Sequence, residues 1–436
     1  MNRISSLILL MLCDIVAIFF SIVLAVFVRQ FVNVFFDVPI IDYSYVSFGA
    51  VYITQILIWG YLGIYTKRFD FWHESRLIFK GSFLAFVLLF AGLALGQNAE
   101  FYSRTTLFLI FLVSSVIVPI GKLFIKKGLF QFGIWQKPAK IISENEEFKH
   151  EILENKYLGY VLANDSNHKT IFIDGANIGK EKLNKIIEGN IKDSREIIFT
   201  PVLSGYDFSN SYIYNVFNSR TNIFTLENEL LKKRNRILKI VTDYTLTIVS
   251  SILWLPLLGF IAFLIKKEDP KGAVFFKQKR LGIDGKEFTC YKFRSMYSDQ
   301  SFMDKWLKDN PSEKEYYDIY HKYMNDPRVT KIGAFLRKTS LDEIPQLINV
   351  LKGEMSLVGP RPYMVTEKSD IGQKSSLVLN VKPGITGLWQ VSGRSDVDFD
   401  TRVDMDVWYM KNWSLWNDIV ILLKTIGIVL KRDGAY

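Results

Sequence analysis

Residues 246–265, "LTIVSSILWLPLLGFIAFLI", carry no charge, yet cations stand on both sides of them. Lys232, Lys233, Arg234, Arg236 and Lys239 precede the stretch. Lys266, Lys267, Lys271, Lys277, Lys279 and Arg280 follow it. About 20 apolar residues suffice to cross a bilayer, but basic flanks favour the cytoplasmic side, and the two ends of a straight span cannot both lie there. Pro256, near the middle, removes a backbone donor and clashes with the preceding turn. The pattern predicts a re-entrant helix–break–helix over about 240–266, with Pro256 as the membrane break. The alternative is a kinked span that exports a basic C-terminal domain.

Four further apolar runs, 4–28, 44–65, 77–97 and 105–125, each approach or exceed spanning length and predict a four-helix transmembrane bundle over 1–130. Asp14, inside the first, is expected to face neighbouring helices. Arg3, then Lys67, Arg68 and Arg76, then Lys122, Lys126 and Lys127 mark one side as basic, so the N-terminus and everything after the fourth run are expected in the cytoplasm. The net charge of +10 calls for anionic partners. Two distant cysteines and four scattered histidines make a structural disulfide or a histidine zinc site a poor expectation.

Between 131 and 231 the chain alternates β-like runs ("AKIIS", "TIFID", "EIIFT", "NIFTL") with helical stretches such as "EKLNKIIEG". Alternation of this kind predicts a parallel sheet with helices, a degenerate Rossmann-like α/β domain. A nucleotide fingerprint would need a glycine-rich turn after the first strand. "SENEE" stands there, with Glu144, Glu146 and Glu147 set to repel a pyrophosphate. A structural or homodimerisation role is expected for this domain rather than cofactor binding.

The last segment, 232–436, holds the chemistry. In "SLDEIPQLINVLKGE", apolar residues at 341, 344, 347, 348 and 351 have helical spacing, and Pro345 suits a first turn. Ser340 and Glu343 fit a capping box, which accounts for Glu343 but leaves Asp342 unassigned. In a first turn Asp342 would lie beside free N–H groups that favour anions. A diphosphate could bind at the same spot if Mg²⁺ bridged it to the carboxylate. Arg337 and Lys338 add positive charge. "SLVGPRP" fixes Arg361 between two prolines, suited to bidentate phosphate binding. "KPGITGLWQVSGR" brings Lys382, Gln390 and Arg394 to a glycine-rich loop, and "YKFRSM" adds Lys292 and Arg294 on a strand-like run. Near the end, "SLWNDIVILLKTIGIVLKR" reads as an amphipathic helix, either on the membrane surface or in the domain core.

In order along 235–436, these segments, with "DPRVTKIGAFLRKT" and "DVWYMKNWSLWNDIVILLKT", resemble the bacterial sugar transferase family, the polyprenyl-phosphate hexose-1-phosphate transferases. The N-terminal half and the terminal "GAY" are most similar to its undecaprenyl-phosphate galactose phosphotransferase branch. Two positions depart from the family pattern: Leu255 precedes Pro256 where serine is frequent, and Asp269-Pro270-Lys271-Gly272 replaces a proline-richer turn. The resemblance implies a monotopic catalytic domain in which Asp342 is nucleophile and metal ligand and Glu343 completes the dyad. It implies Mg²⁺ as cofactor, a UDP-hexose donor, an undecaprenyl phosphate acceptor, contact with membrane lipid and no nucleic-acid partner. Lys292, Arg294, Arg337, Arg361, Gln390, Arg394 and Asp406 are the candidate substrate-binding residues. Two other readings stand against it: a glycosyltransferase that releases UDP, and a scaffold that tolerates loss of the carboxylates.

Overall fold

The computed structural model describes residues 3–36, 43–96, 102–163, 170–175, 178, 180–190, 196–200, 212–216, 221–225, 229–313, 323–392 and 397–431. They fall into two compact units, 1–204 and 205–436.

In the first unit, α1 (Arg3–Phe36), α2 (Gly49–Tyr61), α3 (Phe71–Leu95) and α4 (Arg104–Gln131) pack side by side. Ile18, Ile22, Trp59, Ile78, Ile110 and Val118 are buried between them, while Phe20, Phe27, Leu57, Phe83 and Phe124 point outward. Apolar residues on both faces suit helices solvated by lipid rather than water. Among the described residues, the helices long and apolar enough to cross a membrane are 6–33, 71–95, 104–131 and, in the second unit, 233–268.

The expected second span is shorter than its apolar run. At 1.5 Å per residue, α2 is about 20 Å long, less than the ~30 Å of hydrocarbon, because Gly63, at φ +82°, turns the chain after it. The segment still runs most of the bundle's length through irregular ends. The Tyr45 hydroxyl accepts from the Ser103 N–H at the head of α4, and the Tyr65 hydroxyl donates to Asp14, which pairs with Lys122.

Asp14 does face its neighbours. It lies 2.9 Å from Lys122, which is 3.7 Å from Glu74; Glu74 in turn pairs with Lys126. All four are almost wholly buried. Lys122 and Lys126, read from sequence as topological markers, are therefore interior counter-ions to two acids. Removing one member of such a cluster strands a buried charge, at a cost of about 3–5 kcal/mol. Glu74→Ala is accordingly expected to lower the thermal midpoint of the detergent-solubilised protein by several degrees. An unchanged midpoint would mean that the cluster contributes nothing to the fold.

The same unit contains a four-stranded, all-parallel sheet of β1 (Lys137–Ile142), β2 (Tyr160–Leu162), β3 (Thr170–Ile173) and β4 (Glu196–Phe199), in the order β2-β1-β3-β4. Helix α5 (Glu146–Glu154) joins β1 to β2, and α6 (Lys180–Asn190) lies between β3 and β4. The turn after β1 is polar and glycine-free: Asn145 caps α5 by accepting the Glu147 N–H, and the Ser143 hydroxyl accepts the Asn145 N–H. The expected strand "NIFTL" does not join this sheet. It forms β6 (Thr221–Thr225), antiparallel to β5 (Tyr212–Val216), in the second unit.

The second unit continues with α7 (Lys233–Glu268), the antiparallel pair β7 (Phe275–Leu281) and β8 (Glu287–Phe293), and α8 (Met303–Asp309). Helices α9 (Lys331–Thr339) and α10 (Gln346–Leu351) follow. Strand β9 (Ser356–Val358) lies parallel to β10 (Gly384–Thr386), and α11 (Leu388–Ser392), α12 (Phe399–Lys411) and α13 (Leu415–Lys431) close the unit. Where a break was expected, α7 remains helical through Pro256. Its middle is apolar and exposed, Ile252 by 79% and Leu253 by 77%. Its first arm is tied down by polar bonds. Lys239 donates to the Val358 carbonyl and to Asp418, Asp243 accepts from Ser356 Oγ, and the Tyr244 hydroxyl donates to the Leu351 carbonyl. Its last arm buries Ile261 and Ile265 with Phe293 and Leu336, and Glu268 accepts the Lys331 and Ile332 N–H groups at the head of α9. Helix α13 divides the two roles read for it, burying Ile421 on the body while exposing Leu423, Ile426 and Leu430.

Candidate active site

The local chain path sets the geometry of the acidic pair. Helix α9 ends at Thr339, Ser340 takes the left-handed conformation (φ 55°, ψ 18°), Leu341–Glu343 makes one 3-10 turn, and α10 begins only at Gln346. The expected capping box does not form. Ser340 gives no side-chain cap, and Glu343 instead accepts a 2.7 Å bond from Lys292, brought up by β8. Strand alternation explains why it is Lys292 that faces the pair: Phe293, its neighbour, points into the core.

Asp342 and Glu343 both line a cleft of about 880 Å³. Lys292, Arg337, Gln390 and Arg402 are among its polar lining residues, and Ile344, Leu347, Leu422 and Val429 among its apolar ones. Burial, followed by the neighbouring Glu343, pushes the Asp342 carboxyl up to about 6, although Lys292 and Arg337 pull it down. Burial alone would lower Lys292; Glu343 and Asp342 outweigh it and raise the ammonium. Asp342 is thus a half-buried carboxylate near a fixed cation, accepting no hydrogen bond from another described residue. Among the described residues no three His, Cys, Asp or Glu side chains gather. A divalent ion here would take one or two protein carboxylates and draw its other oxygens from substrate and water, the usual habit of Mg²⁺.

The remaining candidates part company. Arg337 lines the cleft, its Nε donating to Ser295 Oγ. Gln390 lines it and donates to the Ile385 carbonyl. Arg294 reaches the wall but is committed to Asp269, binding its carboxylate and its carbonyl at 2.8 Å each, and it lies over Gly272, where a Cβ would be 1.3 Å from the guanidinium. Its contacts fix the exit of α7 to β8. Arg361 is not among the cleft-lining residues; it lies 3.6 Å from Glu367 and 5.9 Å from the ring of Trp389, which does line the cleft. Arg394 lies outside the described residues. Asp406, expected at substrate, is fully buried and binds the Tyr363 hydroxyl and the Arg361 N–H, so it holds the "PRP" turn from behind. Burial pushes its carboxyl up to about 7. Sequence reading missed Arg402, on α12, which reaches the cleft 5.3 Å from the Trp389 ring. Its only sequence signal is one arginine three residues after the start of a capped helix.

The second unit thus joins a long apolar helix to an α/β body that carries an acidic pair in a basic, half-apolar cleft. The chain belongs to the bacterial sugar transferase family: residues 234–432 match the family model described as Bacterial sugar transferase, and full-length relatives extend the match over the N-terminal unit. It is 34% identical over 410 residues to a Salmonella typhimurium protein named undecaprenyl-phosphate galactose phosphotransferase (87% of this chain, 85% of the relative). It is 35% identical over 411 residues to an Erwinia amylovora UDP-galactose-lipid carrier transferase (87% and 85%). An Escherichia coli UDP-glucose:undecaprenyl-phosphate glucose-1-phosphate transferase is 39% identical over 239 residues (52% and 48%).

Proposed function

We propose that the chain transfers hexose-1-phosphate, galactose-1-phosphate first, from a UDP-sugar to undecaprenyl phosphate. The reaction releases UMP at the cytoplasmic face of the bacterial inner membrane and starts capsule, O-antigen or exopolysaccharide synthesis. The observation that carries this reading is the half-buried Asp342 carboxylate, beside Glu343 and its Lys292 partner, in a cleft lined by both cations and apolar side chains.

An Asp342 oxygen attacks the β-phosphorus of the donor. The bond from that phosphorus to the bridging oxygen breaks, and UMP leaves with the electron pair. An oxygen of the lipid phosphate then attacks the same phosphorus, the aspartyl oxygen departs, and a diphosphate-linked sugar lipid is released. One hard displacement between anions becomes two. Lys292 and Arg337 hold donor phosphate oxygens, and the apolar residues of α13 receive the first part of the acceptor chain. Asp342, with Glu343 beside it, would hold a Mg²⁺ ion together with substrate oxygens, and the ion would supply neutralisation of the charge that develops at phosphorus.

Galactose is preferred because two relatives that align over 85% of their length are named for it; glucose is the second reading, from the Escherichia coli relative. The test is purified protein with undecaprenyl phosphate and a panel of UDP-hexoses. UMP is the expected nucleotide product, and UDP would identify sugar transfer without phosphate.

Re-entry of α7 belongs to the same proposal. In a straight helix Tyr244 and Ile261 are about 26 Å apart, yet both abut the short segment 341–351, Tyr244 at Leu351 and Ile261 in the cluster containing Leu341 and Ile344. Docking of both arms on one body supports a bend at Pro256. The parallel order of the N-terminal sheet likewise supports the Rossmann-like reading, without a nucleotide turn. Cysteines placed at the exposed positions 233 and 267, in a background lacking Cys13 and Cys290, are expected to label from the same side of sealed membranes. Labelling from opposite sides would make α7 a span.

A further inference from the structure

Ser340 combines a strained backbone with an unused side chain. Glycine adopts its φ of 55° readily; a residue with a Cβ does not. Among the described residues the other non-glycine at positive φ is Asp284, in the β7–β8 turn, a residue type that tolerates this region. Serine has no such aptitude. The turn itself is complete without a side chain: the Ser340 N–H donates to the Arg337 carbonyl, and its own carbonyl accepts the Glu343 N–H. The hydroxyl makes no hydrogen bond with any described residue, and the side chain lines the cleft two positions before Asp342. What serine adds over glycine here is therefore a hydroxyl in the wall of the cleft, beside the nucleophile and one turn from Arg337. Strain that brings no internal contact is expected where a ligand supplies the missing partner.

We propose that Ser340 is a substrate-contacting residue, its hydroxyl donating to a non-bridging oxygen of the phosphate that Asp342 attacks. The inference rests on the transferase reading above. It adds a neutral donor to the cations Lys292 and Arg337, and it orients the phosphoryl group in-line without forming or breaking any bond of its own.

The test compares Ser340→Gly, Ser340→Ala and Asp342→Asn in the full-length membrane protein, measuring thermal midpoint and UMP release from UDP-galactose and UDP-glucose with undecaprenyl phosphate. Losing a hydrogen bond to a charged oxygen lowers kcat/KM by about 10- to 100-fold. Both Ser340 variants are expected to show that loss. Ser340→Gly, relieved of the left-handed Cβ, melts above wild type, and Ser340→Ala does not. Activity thus follows the hydroxyl while stability follows the backbone. Wild-type turnover in Ser340→Gly, with Asp342→Asn inactive, overturns the contact and leaves the transferase reading intact. Turnover in Asp342→Asn overturns that reading itself. A Ser340→Gly protein that melts below wild type, or fails to fold, overturns the strain on which the inference stands.

Discussion

Asp342→Asn is expected to abolish UMP release from UDP-galactose even at saturating substrate. The amide preserves the shape of the side chain and can still accept from the residue's own N–H, and no other described residue donates a hydrogen bond to the carboxylate, so the turn 341–343 keeps its path. What disappears is the anionic oxygen proposed to bond phosphorus. Loss of a nucleophile in a two-step displacement removes the reaction path and not only a stabilising contact, so kcat falls at least about a thousandfold, or about 4 kcal/mol of barrier. KM is expected to change less than kcat, because Lys292, Arg337 and Glu343 still stand in the cleft although one candidate metal ligand loses its charge. Glu343→Gln differs: it frees Lys292 and slows the reaction but leaves the attacking oxygen in place. Measurable wild-type turnover in the asparagine variant would remove Asp342 from the chemistry.

The second large effect is one of pH. As the proposed nucleophile, Asp342 would attack only when ionised, and burial with Glu343 pushes its carboxyl up to about 6. It is about nine-tenths ionised at pH 7 and about one-tenth at pH 5. On the acid side kcat/KM should fall towards tenfold per pH unit. Lys292 pulls this carboxyl down, so Lys292→Met should move the acid limb to higher pH as well as lowering the rate. Stability moves the other way. A carboxyl whose folded value is raised binds its proton more tightly when folded, so its contribution favours the folded state as pH falls from 6 towards 4. Lost activity at pH 5 without a lowered melting point therefore separates titration of the site from unfolding. A flat profile between pH 5 and 7.5, or an acid limb unmoved in Lys292→Met, would contradict the assignment.

Much of this was legible in the chain because hydropathy and period act locally. Apolar runs announced the membrane helices, and the alternation of "YKFRSM" announced that Lys292 and Phe293 would face opposite ways. What escaped notice depends on partners distant in sequence. Lys122 and Lys126 read as markers of the fourth span's basic exit, but α1 and α3 supply Asp14 and Glu74 as their partners. Glu343 looked like a cap because "SLDE" fits that pattern, but a cation 51 positions earlier competes for it. Asp406 looked like a substrate ligand, yet it serves Tyr363 and the backbone of Arg361 from inside the core. Serine in a left-handed conformation leaves no mark in a sequence at all, since neither its composition nor its neighbours distinguish it from a helix terminus.

Covalent chemistry at Asp342 is the centre of the proposed mechanism. The most direct measurement is mass spectrometry of peptides from enzyme mixed with UDP-galactose alone and quenched within the first turnover under conditions that preserve acyl phosphates. The expected result is a hexose-phosphate adduct on the peptide containing Asp342, removed when undecaprenyl phosphate is added before the quench and missing from Asp342→Asn. Active enzyme that releases UMP with no adduct on that peptide would contradict it.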